Sequence, residues 1–223
     1  MKKKSTRAKS APERSTPLTR ESISAAALQL IDSHGLEKLS MRRLGKELGV
    51  ESMAFYHHFR DKGELLDAVL ERLLDEVSLP PRGEVPPIQR LKVMCESYRK
   101  LAVNHPHAFI LLAYRRFNSE QAFILYEQVL EAMADLGLDD ALSARYFRMM
   151  GYYMNGAGLA EIASRAAEPD ATPVRLEDFQ EGDRFPHVAN VVPHLRIANL
   201  DAIYDFGMDM IFREMEASVS KDV

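Results

Sequence analysis

Ring-bearing side chains crowd one short stretch, "VESMAFYHHFRDKGELL" at residues 50–66, where Phe55, Tyr56, His57, His58 and Phe59 follow one another. Rings at this density can form a packed core, hold a metal ion through the imidazoles, or press against a flat or charged partner. Adjacent residues point about 100° apart on a helix, whereas one metal ion needs ligands on the same face. No cysteine or carboxylate completes a ligand set, so we expect no metal here, and a core or a contact surface remains.

The charges of the chain are divided between its two ends. Residues 1–63 hold 13 Lys and Arg against 7 Asp and Glu, whereas the remainder holds 16 against 26. This asymmetry favours an anionic partner for the N-terminal part. The alternative is a cationic disordered tail on a neutral domain, because residues 1–17 alone hold 6 basic residues and 1 acidic residue.

Composition excludes several classes of protein. The sequence has no apolar run of about 18 residues, which argues against a membrane span, and its basic N-terminus is not followed by the apolar stretch of a secretory signal. The one cysteine, Cys95, rules out an internal disulfide and fits the reducing cytoplasm. A Gly-rich phosphate loop, a nucleophile elbow and a paired metal motif are all missing. We therefore expect no enzyme and no cofactor.

Helical periodicity runs through the whole sequence and predicts an all-α protein. The first helix begins after the cap Thr19 and stops at Gly35, and the second begins after Ser40 and stops at Gly49. A third, short helix covers about 51–58. A fourth, about 61–77, begins at Asp61, with Glu64 placed to complete a capping box.

Proline and glycine then mark a linker, "SLPPRGEVPP" at residues 78–87. The later helices are predicted at about 88–104, 106–117, 119–136, 140–166, 187–196 and 201–217. A long loop is predicted between them, over residues 166–186.

The second and third helices, joined by the tight turn at Gly49, have the layout of a helix-turn-helix. In that motif the second helix enters the major groove of DNA while the first crosses the backbone.

Residues 19–66 resemble the DNA-binding region of the TetR (tetracycline repressor-like) family of transcription regulators. The residues that carry the resemblance are "AAALQLIDSHGLEKLSMRRLGKELGVESMAFYHHFRDKGELLDAV", with Gly35, residues 39–42, Leu44, residues 48–50, Tyr56, Phe59 and "DKGELL" at the family's common positions. The resemblance implies an N-terminal three-helix helix-turn-helix DNA-binding domain and a C-terminal helical bundle for ligand binding and dimerisation. The corresponding ranges are a disordered basic tail (1–17), a DNA-binding domain (18–63) and an effector and dimerisation domain (64–223), which the helix at about 61–77 connects.

The resemblance also implies which side chains face DNA. Ser52, Met53 and Ala54 stand where the family contacts base edges; a serine hydroxyl can bond a base, and methionine or alanine can touch a thymine methyl. Arg42 stands where the family reaches a guanine or a phosphate. The remaining members of this implied set, as phosphate or groove contacts, are Ser40, Tyr56, His57, His58 and Lys62. A solvated basic face is the alternative for the cations of the second helix.

A regulator of this family has a sensor behind its DNA-binding domain, and we expect a largely apolar small-molecule effector. The candidate pocket residues are Met94, Tyr98, Phe109, Leu112, Phe117, Tyr126, Met150, Tyr153, Met154 and Asn155. At helical spacing such residues more often form plain core, so both interpretations stay open. His105 and His107 are further polar candidates, although "NHPHAF" at 104–109 is also typical of a helix start. The histidines with which the founding members bind a drug–magnesium complex are replaced by Ser78 and Leu112, so tetracycline is not implied.

The family dimerises through its last helices, and two segments suit that role here. The candidate interface residues are Gly151, Gly158, Ile203, Phe206, Met210 and Ile211, since the last helix is too apolar for a lone terminal helix. Intramolecular packing is the alternative. The whole pattern predicts a cytoplasmic, homodimeric, ligand-responsive repressor of a near-palindromic operator in double-stranded DNA. The alternatives are a helical adaptor that does not bind DNA and a helical small-molecule-binding protein. The effector, the operator, the sign of regulation and any DNA contact by the tail are not given by the sequence.

Overall fold

The computed structural model describes residues 18–115, 119–166, 185–195 and 197–220. The tail predicted over 1–17 and most of the loop predicted over 166–186 lie outside these ranges. The described residues form helices joined by turns, and none of them lies in a β-strand. The predicted all-α fold is therefore confirmed. Within the same ranges, no helix combines the length and the apolar character that crossing a membrane requires.

The α-helices follow the predicted order. They are α1 (Arg20–His34), α2 (Met41–Leu48), α3 (Lys62–Asp75), α4 (Pro87–Asn104), α5 (Ile110–Tyr114), α6 (Glu120–Asp135), α7 (Asp140–Arg165), α8 (Pro186–Val191) and α9 (Leu200–Ser220). We use "head" for residues 18–63 and "body" for residues 87–220; α3 packs against α1 on one side and against α5 and α6 on the other.

Caps and glycines set the ends of the first two helices, as predicted. Thr19 and Ser22 form a reciprocal capping box at the start of α1, and the Ser40 hydroxyl accepts a hydrogen bond from the backbone N–H of Arg43 at the start of α2. At the end of α2, Gly49 adopts the left-handed conformation with φ of 68°. A residue with a side chain is strained in that conformation, so glycine suits the turn.

Gly45 has a second, steric role that the sequence did not suggest. A Cβ atom at this position would lie 2.7 Å from the carbonyl oxygen of Val50. The chain leaving the turn therefore passes directly over α2, and only a residue without a side chain allows this approach.

The predicted third helix is a 3₁₀-helix over Ser52–His57 rather than an α-helix over 51–58. Its hydrogen bonds span three residues, as in the bond from the Ala54 N–H to the Glu51 carbonyl. Runs this short often take the tighter 3₁₀ form, because few α-helical bonds can be closed before the chain turns away.

The body is a bundle in which α7 packs against α4, α6 and α9. Glu161 of α7 is almost fully buried, and its carboxylate accepts hydrogen bonds from Arg99 of α4 and from Arg165. Arg99 also donates to Asp201 of α9 at 2.6 Å. Opposite charges thus surround the buried carboxylate, which would otherwise be costly to remove from water.

The linker between α3 and α4 is held by a buried cation. Arg90 is 2% exposed, and its Nε donates to the carbonyl of Pro80 at 2.9 Å. Its two terminal nitrogens lie 3.1 Å from a carboxylate oxygen of Glu131. The predicted linker is thereby fixed against α4 and α6.

Candidate nucleic-acid interface and effector cavity

The ring-rich stretch of the head has a buried side and an exposed side. Phe55 and Phe59 are 0% and 1% exposed, which confirms the prediction that they belong to the core. Met53 and Tyr56 are 69% and 49% exposed. Side chains that are both large and exposed on a short, well-supported segment are available to a partner.

The other implied DNA contacts of the head are exposed or half-buried. His57 is exposed, whereas Ser52, Ala54 and His58 are half-buried. Ser40 and Arg42, at the start of α2, are both exposed. Within the described residues the Arg42 guanidinium makes no hydrogen bond, so its donors remain available for a base or a phosphate. The implied contacts are thus exposed or partly exposed, and their roles in DNA binding stay predictions.

Lys62 lies in a less expected position. Its Nζ donates a hydrogen bond to the backbone carbonyl of Leu39 at 2.6 Å, just before α2 begins. An ammonium group has three donors, so two remain for a phosphate. The predicted phosphate contact would then be made by a cation already held against the start of α2.

Arg20 connects the start of α1 to the ring-rich stretch and to α3. Its guanidinium lies 4.4 Å from the centre of the Phe59 ring, donates to the carbonyl of His58, and forms an ion pair with Glu64 at 2.9 Å. Sequence reasoning missed this residue, because an arginine in the first turn of a helix carries no signal for a partner 44 residues away.

Glu64 closes the same cluster. It was expected to bond the backbone N–H of Asp61, but its carboxylate accepts instead from the N–H of Arg60, at 2.8 Å. That bond, followed by the one from Arg20, lowers the pKa of Glu64 to about 2. The predicted capping box is therefore only half formed: Asp61 accepts from the Glu64 N–H, as expected.

The head and the body meet at His105, in the turn after α4. One ring nitrogen lies 2.7 Å from a carboxylate oxygen of Asp32 in α1, and the other lies 3.0 Å from a carboxylate oxygen of Glu76, at the end of α3. The imidazole ring therefore bridges α1 of the head and the end of α3. Neither His105 nor His107 lines the cavity described below, and the suggestion that they anchor a ligand is not supported.

The body contains a cavity of about 110 Å³ between α3, α4, α6 and α7. Its lining residues are Leu74, Met94, Tyr98, Leu125, Tyr126, Val129, Phe147, Met150, Gly151, Met154 and Asn155. Six of the ten pocket residues predicted from the sequence are among them: Met94, Tyr98, Tyr126, Met150, Met154 and Asn155.

The other predicted pocket residues lie elsewhere. Phe109 and Leu112 are buried in the core between helices. The Tyr153 hydroxyl faces α9, where it lies 3.2 and 3.1 Å from the carbonyl oxygens of Ile203 and Tyr204. Phe117 lies outside the described residues. Periodicity placed these side chains on inward faces but could not tell a cavity wall from filled core.

Among the described residues that form the wall of the cavity, two tyrosines are the only ionisable ones. The Tyr98 hydroxyl donates to the Asn155 side-chain oxygen at 2.8 Å. Burial raises the pKa of Tyr98 far above its usual range and that of Tyr126 to about 12, so both remain neutral hydroxyls. No group of metal-binding side chains occurs in the part of the chain that is described.

The predicted dimer-interface residues divide into two sets. Ile203, Phe206 and Met210, which are spaced to lie on one side of α9, are exposed, and Met149 and Tyr152 of α7 are exposed as well. Gly158 and Ile211, by contrast, are buried.

The prediction that Gly158 lies in the dimer interface is wrong for a steric reason. A Cβ atom there would lie 2.5 Å from the ring of Phe109, so this glycine serves packing within the chain. Gly151 borders the cavity, which also gives it a place within the chain. An exposed apolar face thus remains on α7 and α9, made of other residues than its glycines.

Comparisons with known proteins match both parts of the chain. The family described as "Bacterial regulatory proteins, tetR family" matches residues 23–69, and "Tetracyclin repressor-like, C-terminal domain" matches residues 80–219. The second match alone covers more than half of the chain.

Individual relatives agree with these matches. The HTH-type transcriptional repressor DrrR1 of Streptomyces coeruleorubidus is 29% identical over 215 residues, which are 92% of this chain and 79% of the relative. The tetracycline repressor protein class G of Vibrio anguillarum is 29% identical over 212 residues, 92% of this chain and 98% of the relative. Among solved structures, apo ActR from Streptomyces coelicolor has the same fold, with a TM-score of 0.77 at 24% identity, over 92% of this chain and 99% of that one.

Proposed function

This chain belongs to the tetR family of bacterial regulatory proteins and is a ligand-responsive, DNA-binding transcriptional regulator; from this premise we propose how it works. Two chains bind a near-palindromic operator together and repress transcription, and a small molecule in the body releases them. The observation that carries the proposal is the exposed surface around Ser52–His57, supported from behind by the buried Phe55 and Phe59.

The proposed DNA contacts fall into two kinds. Tyr56 and Lys62 contact phosphates and fix the position of the head, whereas Arg42 and Ser52 contact base edges and determine sequence preference. Met53 and Ala54 add apolar contacts to the same groove, and Ser40, His57 and His58 lie at its margins.

The proposed homodimer uses the exposed apolar face of α7 and α9. Its members are Met149, Tyr152, Ile203, Phe206 and Met210, and Ile203, Phe206 and Met210 were predicted for this role. Two copies of such a face, related by a two-fold axis, cover each other and place the two heads for successive major grooves.

The proposed signal passes from the cavity to the head through α3. Leu74 of α3 lines the cavity, and the end of α3 contacts His105 through Glu76. A ligand changes DNA affinity only if it binds the two head spacings unequally. Because α3 both lines the cavity and carries the head, a shift of α3 changes the shape of the cavity and the spacing of the two heads together. The ligand then binds the two head spacings unequally.

We also propose the domain boundaries, the absence of catalysis and the cellular location of the protein. We place the DNA-binding domain at 18–63 and the effector and dimerisation domain at 64–223, with α3 joining them. We assign no catalysis, because the named relatives are regulators. A DNA-binding regulator of a bacterial family acts in the cytoplasm.

The test starts from a random duplex library, from which the purified protein selects its preferred sites. We expect the selected sites to be near-palindromic. We also expect log Kd to rise linearly with the logarithm of the salt concentration. The change Tyr56→Phe weakens all duplexes alike, while Arg42→Ala changes the ranking of sequences. A salt-independent affinity, or an unchanged ranking for Arg42→Ala, contradicts the proposal.

A further inference from the structure

The composition of the cavity wall restricts the chemistry of its ligand, beyond the existence of a ligand. The inference rests on the proposed function, because it concerns the same effector site. The lining residues include three rings, those of Tyr98, Tyr126 and Phe147. The other lining residues contribute aliphatic and thioether side chains, a glycine and one amide. Within the part of the chain that the structure describes, no lysine, arginine, histidine, aspartate or glutamate lines the cavity.

An uncharged wall disfavours an ionised ligand. Moving a charge from water into an apolar site without a partner is costly, and a neutral hydroxyl or amide offers only partial compensation. The two wall tyrosines cannot supply a charge either, because burial raises the pKa of both.

The size of the cavity sets a second limit. It measures about 110 Å³, smaller than the apolar cavity of about 150 Å³ known to accept benzene. A group larger than one aromatic ring would therefore require movement of the wall. The rings of Tyr126 and Phe147, which meet edge to face with centroids 5.1 Å apart, offer it aromatic contacts.

The amide of Asn155 sets the polar requirement. Its oxygen accepts from the Tyr98 hydroxyl at 2.8 Å, and this bond fixes the orientation of the amide. The amide nitrogen then has two hydrogens without a partner among the described residues. A donor left over beside an apolar wall is best satisfied by a ligand acceptor such as a carbonyl oxygen.

We propose that the cavity takes the uncharged aromatic end of its ligand, and that Asn155 selects a carbonyl group on it by donating a hydrogen bond. Tyr98 is a positioning residue, since it acts on the ligand through Asn155. This assigns Asn155 as a specificity-determining residue.

The test uses three single-ring probes of closely similar size: acetophenone, α-methylstyrene and benzoate. Acetophenone and α-methylstyrene differ only by a C=O in place of a C=CH₂. Titration of the full chain by ligand-observed NMR gives a Kd for each probe. The ratio of the two neutral affinities is measured in the natural protein and in Asn155→Leu, so that the different hydrophobicities of the probes cancel.

We expect the preference for acetophenone over α-methylstyrene to fall about three- to tenfold in Asn155→Leu, the effect of one hydrogen bond. Benzoate should bind the natural protein at least about tenfold more weakly than acetophenone. An unchanged ratio overturns the role of Asn155, and equal binding of benzoate overturns the requirement for a neutral ligand. Failure of all three probes to bind overturns the site.

A second variant keeps the test decisive if Asn155→Leu does not fold. Asn155→Asp retains an acceptor for Tyr98 and removes the amide donor, so the same fall in the ratio is expected. Tyr98→Phe is the matched comparison, because it leaves the amide in place but unfixed, and we expect a smaller fall. DNA selection is measured separately, so a failure here is distinguishable from a failure of the proposed regulator.

Discussion

The head and the body are both helical, but they place the residues proposed to bind a partner on opposite sides of their helices. In the head, the residues proposed to act lie outside and a densely filled interior supports them, with Phe55 and Phe59 almost fully buried. In the body, the residues proposed to act lie inside, around a space that the helices leave unfilled. The difference teaches that recognition of a large anionic partner needs a rigid, polar exterior, whereas recognition of a small apolar molecule needs an incomplete interior.

The largest expected effect concerns the two sides of the short 3₁₀-helix. Phe55→Ala removes a fully buried ring, and we expect a loss of about 3–5 kcal/mol in the free energy of unfolding, with loss of DNA binding. Met53→Ala, on the exposed side, should change that free energy by less than about 0.5 kcal/mol. Urea unfolding followed by circular dichroism measures both. Equal destabilisation by the two changes would show that the head has no separate exterior side.

A second comparison tests how tightly the body is filled away from its cavity. Gly158→Ala places a Cβ atom against the buried ring of Phe109, and we expect a loss of about 1–3 kcal/mol from overpacking. Gly156→Ala is the matched control on the same helix, since no atom lies within 4 Å of its added Cβ. That change should stabilise the helix by about 0.5–1 kcal/mol. Urea unfolding distinguishes them, and a stabilising Gly158→Ala contradicts the described packing.

The contact between the two regions is tested by His105→Ala. One oxygen of the half-buried Asp32 carboxylate is already buried with no hydrogen-bond partner among the described residues. The change also removes the bond between the other oxygen and the His105 ring. We expect a loss of about 1–3 kcal/mol. Hydrogen exchange should also show faster opening of head amides than of body amides.

His107→Ala is the control for this contact. Its exposed ring lies 2.9 Å from the backbone carbonyl oxygen of Asp32 and contacts no carboxylate among the described residues, so a smaller effect is expected. If His105→Ala changed exchange equally throughout the chain, the residue would not hold the head to the body.

The smallest effect concerns charge at the surface of the head. The pKa of Glu64 is lowered from 4.5 to about 2 in the folded protein, so its stabilising contribution is complete above about pH 4.5 and disappears as the pH falls towards 2. Glu64→Gln should therefore be less stable than the natural protein at pH 7, and the difference should shrink between pH 4.5 and 2.

Thermal unfolding at a series of pH values measures this difference. Glu51→Gln is the control, because its side chain makes no hydrogen bond in the described part of the chain. A difference that stays constant down to pH 2 contradicts the role given to the contacts with Arg60 and Arg20.

Much of the head was predictable because its signals are local. Thr19 and Ser40 cap the helices that they precede, and Gly49 forms the turn, since each depends on neighbours within a few residues. The 3₁₀ form of the third helix was not predictable, because apolar spacing is nearly the same for both kinds of short helix.

Less of the body was predictable, because its cavity depends on contacts between residues far apart in the sequence. Met94, Tyr98 and Asn155 were expected at one pocket, and they do line one cavity, yet Phe109 and Leu112 carry the same pattern and fill the core. Periodicity shows that a side chain faces inward, but not whether another helix leaves space in front of it.

The sequence by itself determined the order of the helices, their caps, the helix-turn-helix and the split of the ring-rich stretch into buried and exposed sides. These follow from the 3.6-residue period and from contacts within a few residues. Only the tertiary structure decided that Gly158 packs on Phe109, that His105 contacts both Glu76 and Asp32, the latter 73 residues away, and that Tyr98 meets Asn155. Such contacts depend on how whole helices cross, which no local pattern of residues specifies.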